Sequence, residues 1–339
     1  MKALVYQGPG RMDFADEPDP VPAVGEVTMR VRLAAICGSD LHGFREASPR
    51  RIPPLVMGHE AIGTVESMVE DSMDGTAPAP GTVVVVKPFV ACGTCSACLA
   101  GRSNLCPRGS LVGRDRPGAF AERLAVPATH ALPLPDGTPD EAAVLVEPLA
   151  NAVHVVRRSV LVGDDVVVIG AGPIGLLTVR LARLAGADRV VAVDPIALRR
   201  TLAEASGADM AIPADADAAN AILDVTAGRG ADVAIDAAGF EQTWELAVAA
   251  VRPAGRLEVI GLGQPRGAVD YHRIVSKEVR VSGSFACSDD DFDRAVSLAA
   301  RGFVTGDGWI TRLPLSDGQS AFERLVDPST DLVKVILEP

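Results

Sequence analysis

A glycine-rich segment that follows an apolar run limits the fold of this chain more than any other feature. Residues 166–169 read Val-Val-Val-Ile, and Gly170-Ala171-Gly172-Pro173-Ile174-Gly175 follows them. In a strand–turn–helix unit the first glycine makes the turn, the second admits a pyrophosphate close to the backbone, and the third lets helix and strand pack closely. The N-terminus of the helix then favours the negative charge. This spacing alone is weak evidence for a pyrophosphate-binding turn, because glycine-rich turns are common. The interpretation therefore depends on the flanking sequence.

Strand-like and helix-like segments alternate regularly after Glu147-Pro148. Continuous Val/Ile strands that alternate with helices are typical of a parallel sheet buried on both faces. We therefore predict an α/β fold in which residues 151–287 form a Rossmann-type, doubly wound parallel sheet. The predicted strands are 166–169, 189–193, 233–235, 257–260 and 280–283, and the predicted helices are 149–160, 173–185, 197–206, 218–226 and 242–251.

The second predicted strand ends at Asp194, where a carboxylate would accept hydrogen bonds from the 2′-hydroxyl of a ribose. An acidic side chain at this place repels a 2′-phosphate, so the sequence predicts a dinucleotide site that prefers NAD to NADP. Arg199 is near enough along the chain to stack on the adenine. A solvent-facing arginine on a helix explains Arg199 nearly as well.

Residues 1–150 show a different pattern, in which Pro and Gly separate short β-like runs. These runs lie at 27–35, 62–68, 82–87 and 119–126. Many short strands with frequent turn residues predict a β-rich, barrel-like domain. Residues 70–81 are polar and contain proline, which predicts an exposed loop. Residues 288–339 contain one predicted helix (291–301) and one predicted strand (332–337), and we expect this tail to return to the first domain.

Four cysteines form the strongest single motif of the chain. Their spacing is Cys92-x2-Cys95-x2-Cys98-x7-Cys106, which matches a closed, tetrahedral, all-thiolate zinc site of structural type in a lobe at 92–106. The alternative is an iron–sulfur cluster, but ferredoxins that end in Cys-Pro have about three residues before the fourth cysteine, where this chain has seven. Four unligated thiols in so short a loop of a reduced protein would be unusual.

A second group of metal-ligand types lies earlier in the chain. It comprises Cys37-Gly38-Ser39-Asp40-Leu41-His42 and Gly58-His59-Glu60. A thiol, an imidazole and a carboxylate are all accepted by zinc. Taken singly, a cysteine is more often a small buried hydrophobe and a histidine a hydrogen-bonded core residue. The interpretation as a metal site therefore depends on the rest of the chain.

Composition narrows the class of protein. The 339 residues exceed what one core usually holds, and the net charge of −12 does not suit binding to a nucleic-acid backbone. No apolar run approaches the roughly 20 residues that cross a bilayer, and the N-terminus lacks the apolar core of a signal peptide. We expect a cytoplasmic enzyme that acts on a small molecule and binds neither membrane nor nucleic acid.

Together these motifs resemble the zinc-containing medium-chain dehydrogenase/reductases over the whole chain. The matching elements are 37–42, 58–60, the four-cysteine lobe, Glu147-Pro148-Leu149, and the Gly170–Gly175 loop followed by Asp194. Within that family the chain is most similar to the sorbitol, threonine and cyclitol dehydrogenase branch, which carries Glu-Pro where another branch has a cysteine ligand. The resemblance implies a GroES-like catalytic domain interrupted by a Rossmann domain, and a homodimer or homotetramer.

The resemblance also implies roles for individual residues. Cys37, His59 and Glu60 would hold a catalytic zinc, with Glu147 a fourth ligand or separated from the metal by a water, so that each chain would carry two zinc ions. Ser39 and His42 would form a proton relay. The residues implied for NAD are Gly170, Gly172, Pro173, Ile174, Gly175, Asp194, Arg199, Ile260, Gly261, Leu262, Ser284, Phe285 and Ala286.

These features predict an enzyme that oxidises a secondary alcohol to a ketone and passes hydride to NAD. The substrate would be a polyol, a sugar, a cyclitol, or an amino-sugar or aminocyclitol of the aminoglycoside type. An activity like that of L-threonine 3-dehydrogenase is an alternative. Two further alternatives are a zinc-free quinone or enoyl reductase on the same fold and a metal- or redox-sensing module built on the cysteine lobe.

Overall fold

The computed structural model describes residues 1–69, 77–306, 308–327 and 329–339. The chain divides into two compact units, one of residues 1–147 with 288–339 and one of residues 148–287. The predicted exposed loop at 70–81 lies outside the described residues from 70 to 76. Within the described ranges, no helix is both long and apolar enough to cross a membrane.

Strands and helices are numbered in chain order. The strands are β1 (Lys2–Gly8), β2 (Arg11–Asp16), β3 (Glu26–Ala35), β4 (Leu55–Val56), β5 (Glu60–Met68), β6 (Val83–Val86), β7 (Phe89–Val90), β8 (Ser110–Leu111), β9 (Arg123–Pro127), β10 (Ala131–Pro133), β11 (Asp165–Ile169), β12 (Arg189–Val193), β13 (Met210–Ile212), β14 (Ala231–Asp236), β15 (Val251–Val259), β16 (Arg280–Gly283), β17 (Ile310–Pro314) and β18 (Lys334–Glu338). The helices are α1 (Gly38–Arg45), α2 (Ser96–Leu99), α3 (Asp140–Val144), α4 (Val146–Ser159), α5 (Pro173–Leu184), α6 (Ala197–Ala205), α7 (Ala218–Val225), α8 (Glu241–Ala250), α9 (Tyr271–Lys277), α10 (Asp289–Ala300) and α11 (Gly318–Val326).

The unit at 148–287 contains a parallel sheet with the strand order β13-β12-β11-β14-β15-β16. In chain order this is 3-2-1-4-5-6, the arrangement of a dinucleotide-binding Rossmann sheet. The predicted α/β fold with this sheet is confirmed. Strand β13 escaped the sequence prediction, because it has three residues and Ile212 alone among them is buried. A run of three residues is too short to show the alternation of buried and exposed side chains that identifies a strand.

The other unit is built mainly from antiparallel strands, as its short, Gly- and Pro-interrupted runs predict. Its largest sheet has the order β10-β6-β5-β3-β18-β17, with β9 also paired to β3, and a three-stranded sheet has the order β2-β1-β4. Strand β18, near the end of the chain, pairs antiparallel with β3 and parallel with β17. The C-terminal strand therefore completes the sheet that begins at residue 26.

The prediction of a single helix and a single strand after residue 288 is wrong, because α11 follows α10 and β17 precedes β18. Helix α11 begins at a glycine and buries only Gly318, Ala321 and Phe322, so its apolar stripe is too narrow to recognise. The Phe322 ring packs on Phe44 of α1, with centroids 5.2 Å apart, and on Phe120 at 5.9 Å. These contacts fix α1 and, with it, Cys37, the residue immediately before the helix.

His130 predicts a measurable pH dependence of stability. Burial and the nearby Lys87 lower the pKa of His130 to about 4, whereas an unfolded chain has a histidine pKa near about 6.5. As the pH falls through this interval, the unfolded chain takes up a proton that the folded chain does not, so the free energy of unfolding decreases, by up to about 3 kcal/mol. We expect His130→Gln to remove this component in urea unfolding measured from about pH 7 to about pH 4. Equal pH dependence in the two proteins would contradict the assignment.

Candidate metal and nucleotide sites

Cys37 immediately precedes helix α1 and has an extended backbone conformation (φ −89°, ψ 152°). Its backbone N–H donates a hydrogen bond to Asp40 Oδ2 at 3.1 Å, and its carbonyl accepts one from the Asp40 N–H at 3.0 Å. These bonds close the first turn around Cys37. The Cys37 side chain is thereby placed at the N-terminal end of α1, and a cysteine sulfur is a ligand that zinc accepts.

The register of two strands brings the second and third donors to Cys37. Glu60 is the first residue of β5 and pairs with Ala35, the last residue of β3, two positions before Cys37. His59 stands immediately before β5. Gly58 makes the approach possible, because it has φ +93° and a Cβ at its position would lie 2.6 Å from the Phe120 ring.

The Cys37 Sγ, a ring nitrogen of His59 and a carboxylate oxygen of Glu60 all lie within 4.8 Å of one another. His59 and Glu60 are buried, with 3% and 1% of their surface exposed. Glu60 Oε1 has no hydrogen-bond partner among the residues that the structure describes. A buried carboxylate oxygen beside a thiol and an imidazole fits a zinc ion, and three protein donors leave a fourth position for water or substrate.

Lys334 balances the charge of this group. It lies on β18, is 2% exposed, pairs with Glu60 Oε2, and donates a hydrogen bond to the Ile36 carbonyl at 2.9 Å. Burial lowers the pKa of Lys334, but Glu60, Cys37 and Glu147 reverse the effect and raise it above its ordinary value. Lys334 therefore stays charged and occupies one oxygen of Glu60, which leaves the other oxygen for a metal.

The carboxylate of Asp40 faces the ring of His59. The Asp40 side chain is fully buried, and its Oδ1 lies 3.5 Å from His59 Nδ1. Burial lowers the pKa of His59, and the carboxylate of Asp40 together with Cys37 more than reverses this, so the pKa lies well above 6.5. A carboxylate at Nδ1 favours the tautomer that presents Nε2 to a metal.

The remaining residues proposed for the reaction belong to the same unit. Ser39 is half-buried on α1, and its Oγ accepts a hydrogen bond from Arg51 at 3.4 Å. His42 is exposed on α1, and partial burial together with Arg45 and Arg51 lowers its pKa. Glu147 is 8% exposed and lies outside the three-donor group, although its charge acts on Lys334.

The four cysteines of the lobe converge as a second group. Their sulfur atoms lie within 4.8 Å of one another, at 3.9 Å for Cys92–Cys98, 3.4 Å for Cys95–Cys98 and 3.8 Å for Cys95–Cys106. A regular tetrahedron with metal–sulfur distances of about 2.3 Å has edges of about 3.8 Å. None of the four forms a disulfide, and Arg108 donates to Cys92 Sγ at 3.1 Å. The lobe therefore fits a closed, tetrahedral metal site.

The glycine-rich loop has the geometry that its sequence predicts. Gly170 follows β11 with φ +93°, and a Cβ at Gly175 would lie 1.8 Å from the Gly170 carbonyl oxygen. Helix α5 begins at Pro173, after Gly172. The loop is tied to the end of β12 because Asp194 Oδ2 accepts from the Ala171 N–H at 2.8 Å and Asp194 Oδ1 accepts from the Ile196 N–H at 2.8 Å.

The other residues implied for NAD lie at the same edge of this sheet, after the carboxyl ends of β15 and β16, where a doubly wound sheet binds its ligand. Ile260 and Gly261 follow β15, and both donate backbone hydrogen bonds to the Asp236 carbonyl. Leu262 and Phe285 are exposed, Ala286 has φ +49°, and Ser284 Oγ is buried without a hydrogen-bond partner among the described residues. Arg199 is half-buried on α6.

Sequence reasoning missed three charged residues of these sites. Lys334 interrupts the apolar run at 332–337. A lysine inside a buried strand indicates an anionic partner, because lysine is almost never fully buried unless it is paired. Asp236 ends β14 and accepts from the Ala238 and Gly239 N–H groups at 2.9 Å. Arg51 belongs to no recognisable sequence motif, and only the fold brings it next to Asp40.

Comparison with protein families agrees with this geometry. Residues 23–136 match the alcohol dehydrogenase GroES-like domain, and residues 173–301 match the zinc-binding dehydrogenase domain. The first match lies in the unit that carries the metal donors, and the second covers most of the unit at 148–287 and continues into residues 288–301 of the first unit. The GroES-like part of the predicted fold is thereby confirmed.

Curated relatives match along the whole chain. An L-threonine 3-dehydrogenase of Anaeromyxobacter sp. strain Fw109-5 is 34% identical over 347 residues, covering 100% of this chain and 99% of the relative. An L-galactonate-5-dehydrogenase of Escherichia coli K12 is 32% identical over 339 residues, covering 99% of this chain and 98% of the relative.

Solved structures share the fold closely. A short chain alcohol dehydrogenase (rspB) of E. coli CFT073, in complex with NADH, has a TM-score of 0.91 and 29% identity, with 100% of this chain and 99% of that chain covered. A 2R,3R-butanediol dehydrogenase of Bacillus subtilis has a TM-score of 0.89 and 28% identity, with the same coverage. This chain is an oxidoreductase of the alcohol and polyol dehydrogenase type, and it belongs to the zinc-containing medium-chain dehydrogenase/reductases.

Proposed function

We propose that this protein oxidises a secondary alcohol to a ketone with zinc and NAD. The observation that carries the proposal is the group of Cys37, His59 and Glu60, whose donor atoms lie within 4.8 Å of one another. A zinc ion held there would act as a Lewis acid that makes the substrate hydroxyl more acidic. The lobe cysteines would hold a second, structural zinc, so that each chain binds two.

The side chains on α1 supply the proton transfer in this proposal. Ser39 accepts the proton of the substrate hydroxyl, and His42 passes it to solvent. His42 suits this task because its lowered pKa keeps the ring neutral near neutral pH. NAD supplies the hydride acceptor, and the difficult chemistry belongs to that cofactor.

We expect a preference for NAD over NADP that depends on Asp194. Its carboxylate is 2% exposed and fixed by two backbone N–H groups, so it cannot move away from a 2′-phosphate. Asp194→Asn should lower the ratio of kcat/KM for NAD to that for NADP by about 100-fold, since a hydrogen bond to a charged group contributes about 1.5–3 kcal/mol. The matched control is Asp188→Asn, an exposed residue before the other end of β12. An unchanged ratio in Asp194→Asn would contradict this assignment.

The substrate class is a polyol, a sugar, a cyclitol, or an amino-sugar or aminocyclitol. The relatives named as L-threonine 3-dehydrogenase support L-threonine as a second candidate, and the relative named as L-galactonate-5-dehydrogenase supports a sugar acid. All of these carry a secondary hydroxyl. The three-donor group argues against a zinc-free quinone or enoyl reductase, which needs no such donors.

The experiment is NADH formation, followed by absorbance, with the zinc-loaded protein and a panel of alcohols. The panel contains L-threonine, L-galactonate, 2,3-butanediol, sorbitol, myo-inositol and an aminocyclitol. The proposal expects turnover of at least one secondary alcohol and its loss after treatment with a chelator. Reduction of quinones or enoyl compounds with NADPH, and no alcohol oxidation, would contradict it.

We also propose a homodimer that forms through β16. This strand borders the parallel sheet on one side, and Val281 on it is 42% exposed. An edge strand with an exposed apolar side chain favours pairing with another strand. Val281→Arg should convert the dimer to a monomer in sedimentation velocity, whereas Met210→Arg on the opposite edge strand β13 should not. A wild-type monomer would contradict the proposal.

A further inference from the structure

Arg51 is a buried cation to which the proposed reaction gives no role. It lies between α1 and β4, and 8% of its surface is exposed. Its Nη2 donates to Asp40 Oδ1 at 3.2 Å and to Ser39 Oγ at 3.4 Å. One nitrogen thus contacts both the carboxylate behind the proposed zinc ligand His59 and the hydroxyl proposed to accept the substrate proton.

Asp40 depends on this cation. A fully buried carboxylate without a partner is costly, and Arg51 Nη2 donates to Asp40 Oδ1 at 3.2 Å. The same oxygen, Asp40 Oδ1, lies 3.5 Å from His59 Nδ1. Outer contacts of this kind fix the orientation of a metal-binding imidazole, and their loss commonly costs 10- to 100-fold in metal affinity or activity.

The contact with Ser39 orients a hydroxyl. A serine oxygen has two lone pairs and one proton. Because Arg51 donates to Ser39 Oγ, the serine proton cannot point towards Arg51, and one lone pair is occupied. The other lone pair remains to accept a proton, and the O–H remains to donate one onwards.

The fold is shaped around this side chain. A Cβ at Gly43 on α1 would lie 2.5 Å from Arg51 Cδ, so any larger residue at this position would require the arginine side chain to move. The Arg51 N–H also donates to the Ser48 carbonyl at 3.2 Å. Arg51 Nε has no hydrogen-bond partner among the described residues, so the side chain is held by packing and by Nη2.

We propose that Arg51 is a positioning residue of the catalytic centre, which orients His59 through Asp40 and orients the Ser39 hydroxyl directly. The part that concerns Ser39 rests on the proposed alcohol oxidation. The part that concerns His59 rests only on metal binding and can be measured without any substrate.

The first test is metal affinity. Arg51→Met should weaken zinc binding at the Cys37 site by at least about tenfold in competition with a chromogenic chelator, and should alter the visible spectrum of the cobalt(II)-substituted protein. The matched control is Arg50→Met, because the Arg50 side chain is 57% exposed and faces Asp115 at 3.6 Å. Wild-type affinity and spectrum in a folded Arg51→Met variant would overturn the proposal for His59.

The second test uses Arg51→Lys to measure the coupling between Arg51 and Ser39. This variant keeps the positive charge, and it is expected to fold even if Arg51→Met does not. A single ammonium group on a shorter side chain should pair with Asp40 and lose Ser39. We expect kcat to fall about tenfold with zinc content unchanged, and Ser39→Ala/Arg51→Lys to match Ser39→Ala within about twofold. The proposal for Ser39 would be overturned by a wild-type kcat in Arg51→Lys. It would also be overturned if the loss of kcat in the double variant equalled the product of the losses in the two single variants.

The two proposals fail in different ways. If the wild-type protein oxidises no alcohol on the panel, the proposed function fails, and the chelator competition still decides whether Arg51 acts on His59. If the wild-type protein is active and both Arg51 variants match it in zinc affinity and kcat, the function stands and the inference about Arg51 is overturned.

Discussion

Replacing Cys37 with serine is expected to abolish alcohol oxidation, with a decrease in kcat of at least about 1,000-fold. The thiolate is one of three protein donors that lie within 4.8 Å of one another, and its loss leaves a histidine and a carboxylate that is already paired with Lys334. Without the Lewis acid the substrate hydroxyl keeps its ordinary, very high pKa, and a 1,000-fold loss corresponds to about 4 kcal/mol of transition-state free energy. The measurement is steady-state NADH formation at saturating NAD and alcohol.

The control separates the metal from the fold. NAD binding, measured by calorimetry, should be nearly unchanged in Cys37→Ser, because the glycine-rich loop belongs to the other compact unit. Cys287→Ser removes a cysteine that belongs to neither metal-donor group, and it should keep wild-type kcat. Full activity in Cys37→Ser would show that the metal site has been assigned wrongly.

Replacing Cys95 with serine is expected to open the lobe at 92–106. Its four sulfur atoms fit a tetrahedral zinc, and structural zinc contributes about 10–16 kcal/mol of binding free energy that holds such lobes folded. Helix α2 of the lobe has four residues, none of them buried, so this helix contributes little packing of its own. Trypsin should therefore cleave at Arg102 or Arg108 at least about 100-fold faster than in the wild-type protein.

The outcome is read by mass spectrometry of the fragments. Cys287→Ser again serves as the control and should resist trypsin as the wild-type protein does. If Cys95→Ser keeps its full zinc content and its resistance to trypsin, the lobe is not a four-cysteine zinc site.

The sequence predicted those parts of the molecule that are encoded locally. The parallel sheet follows from repeated Val/Ile strands, and the loop at Gly170–Gly175 follows from glycine spacing, so both are visible over short windows. The lobe is visible for the same reason, since its four ligands span 15 positions, from 92 to 106. Strand β13 and helix α11 were missed because three residues, or a narrow stripe around Phe322, do not give a clear period.

The charged surroundings of the catalytic donors were not predictable in this way. Lys334 reaches Glu60 because β18 pairs with β3, and its hydrogen bond to Ile36 joins positions 298 residues apart. Arg51 is adjacent to Arg50, which is exposed, and nothing in the local pattern distinguishes the two. Tertiary pairing decides which of these cations is buried against a carboxylate.

The most direct measurement is the zinc content of the purified protein and of Cys37→Ser by inductively coupled plasma mass spectrometry. The structure places two groups of donors, one of four sulfurs and one of mixed donors, in the same chain. We expect two zinc ions per chain in the wild-type protein and one in Cys37→Ser. A single zinc in both proteins would mean that the lobe alone binds metal, and would contradict a catalytic centre at Cys37, His59 and Glu60.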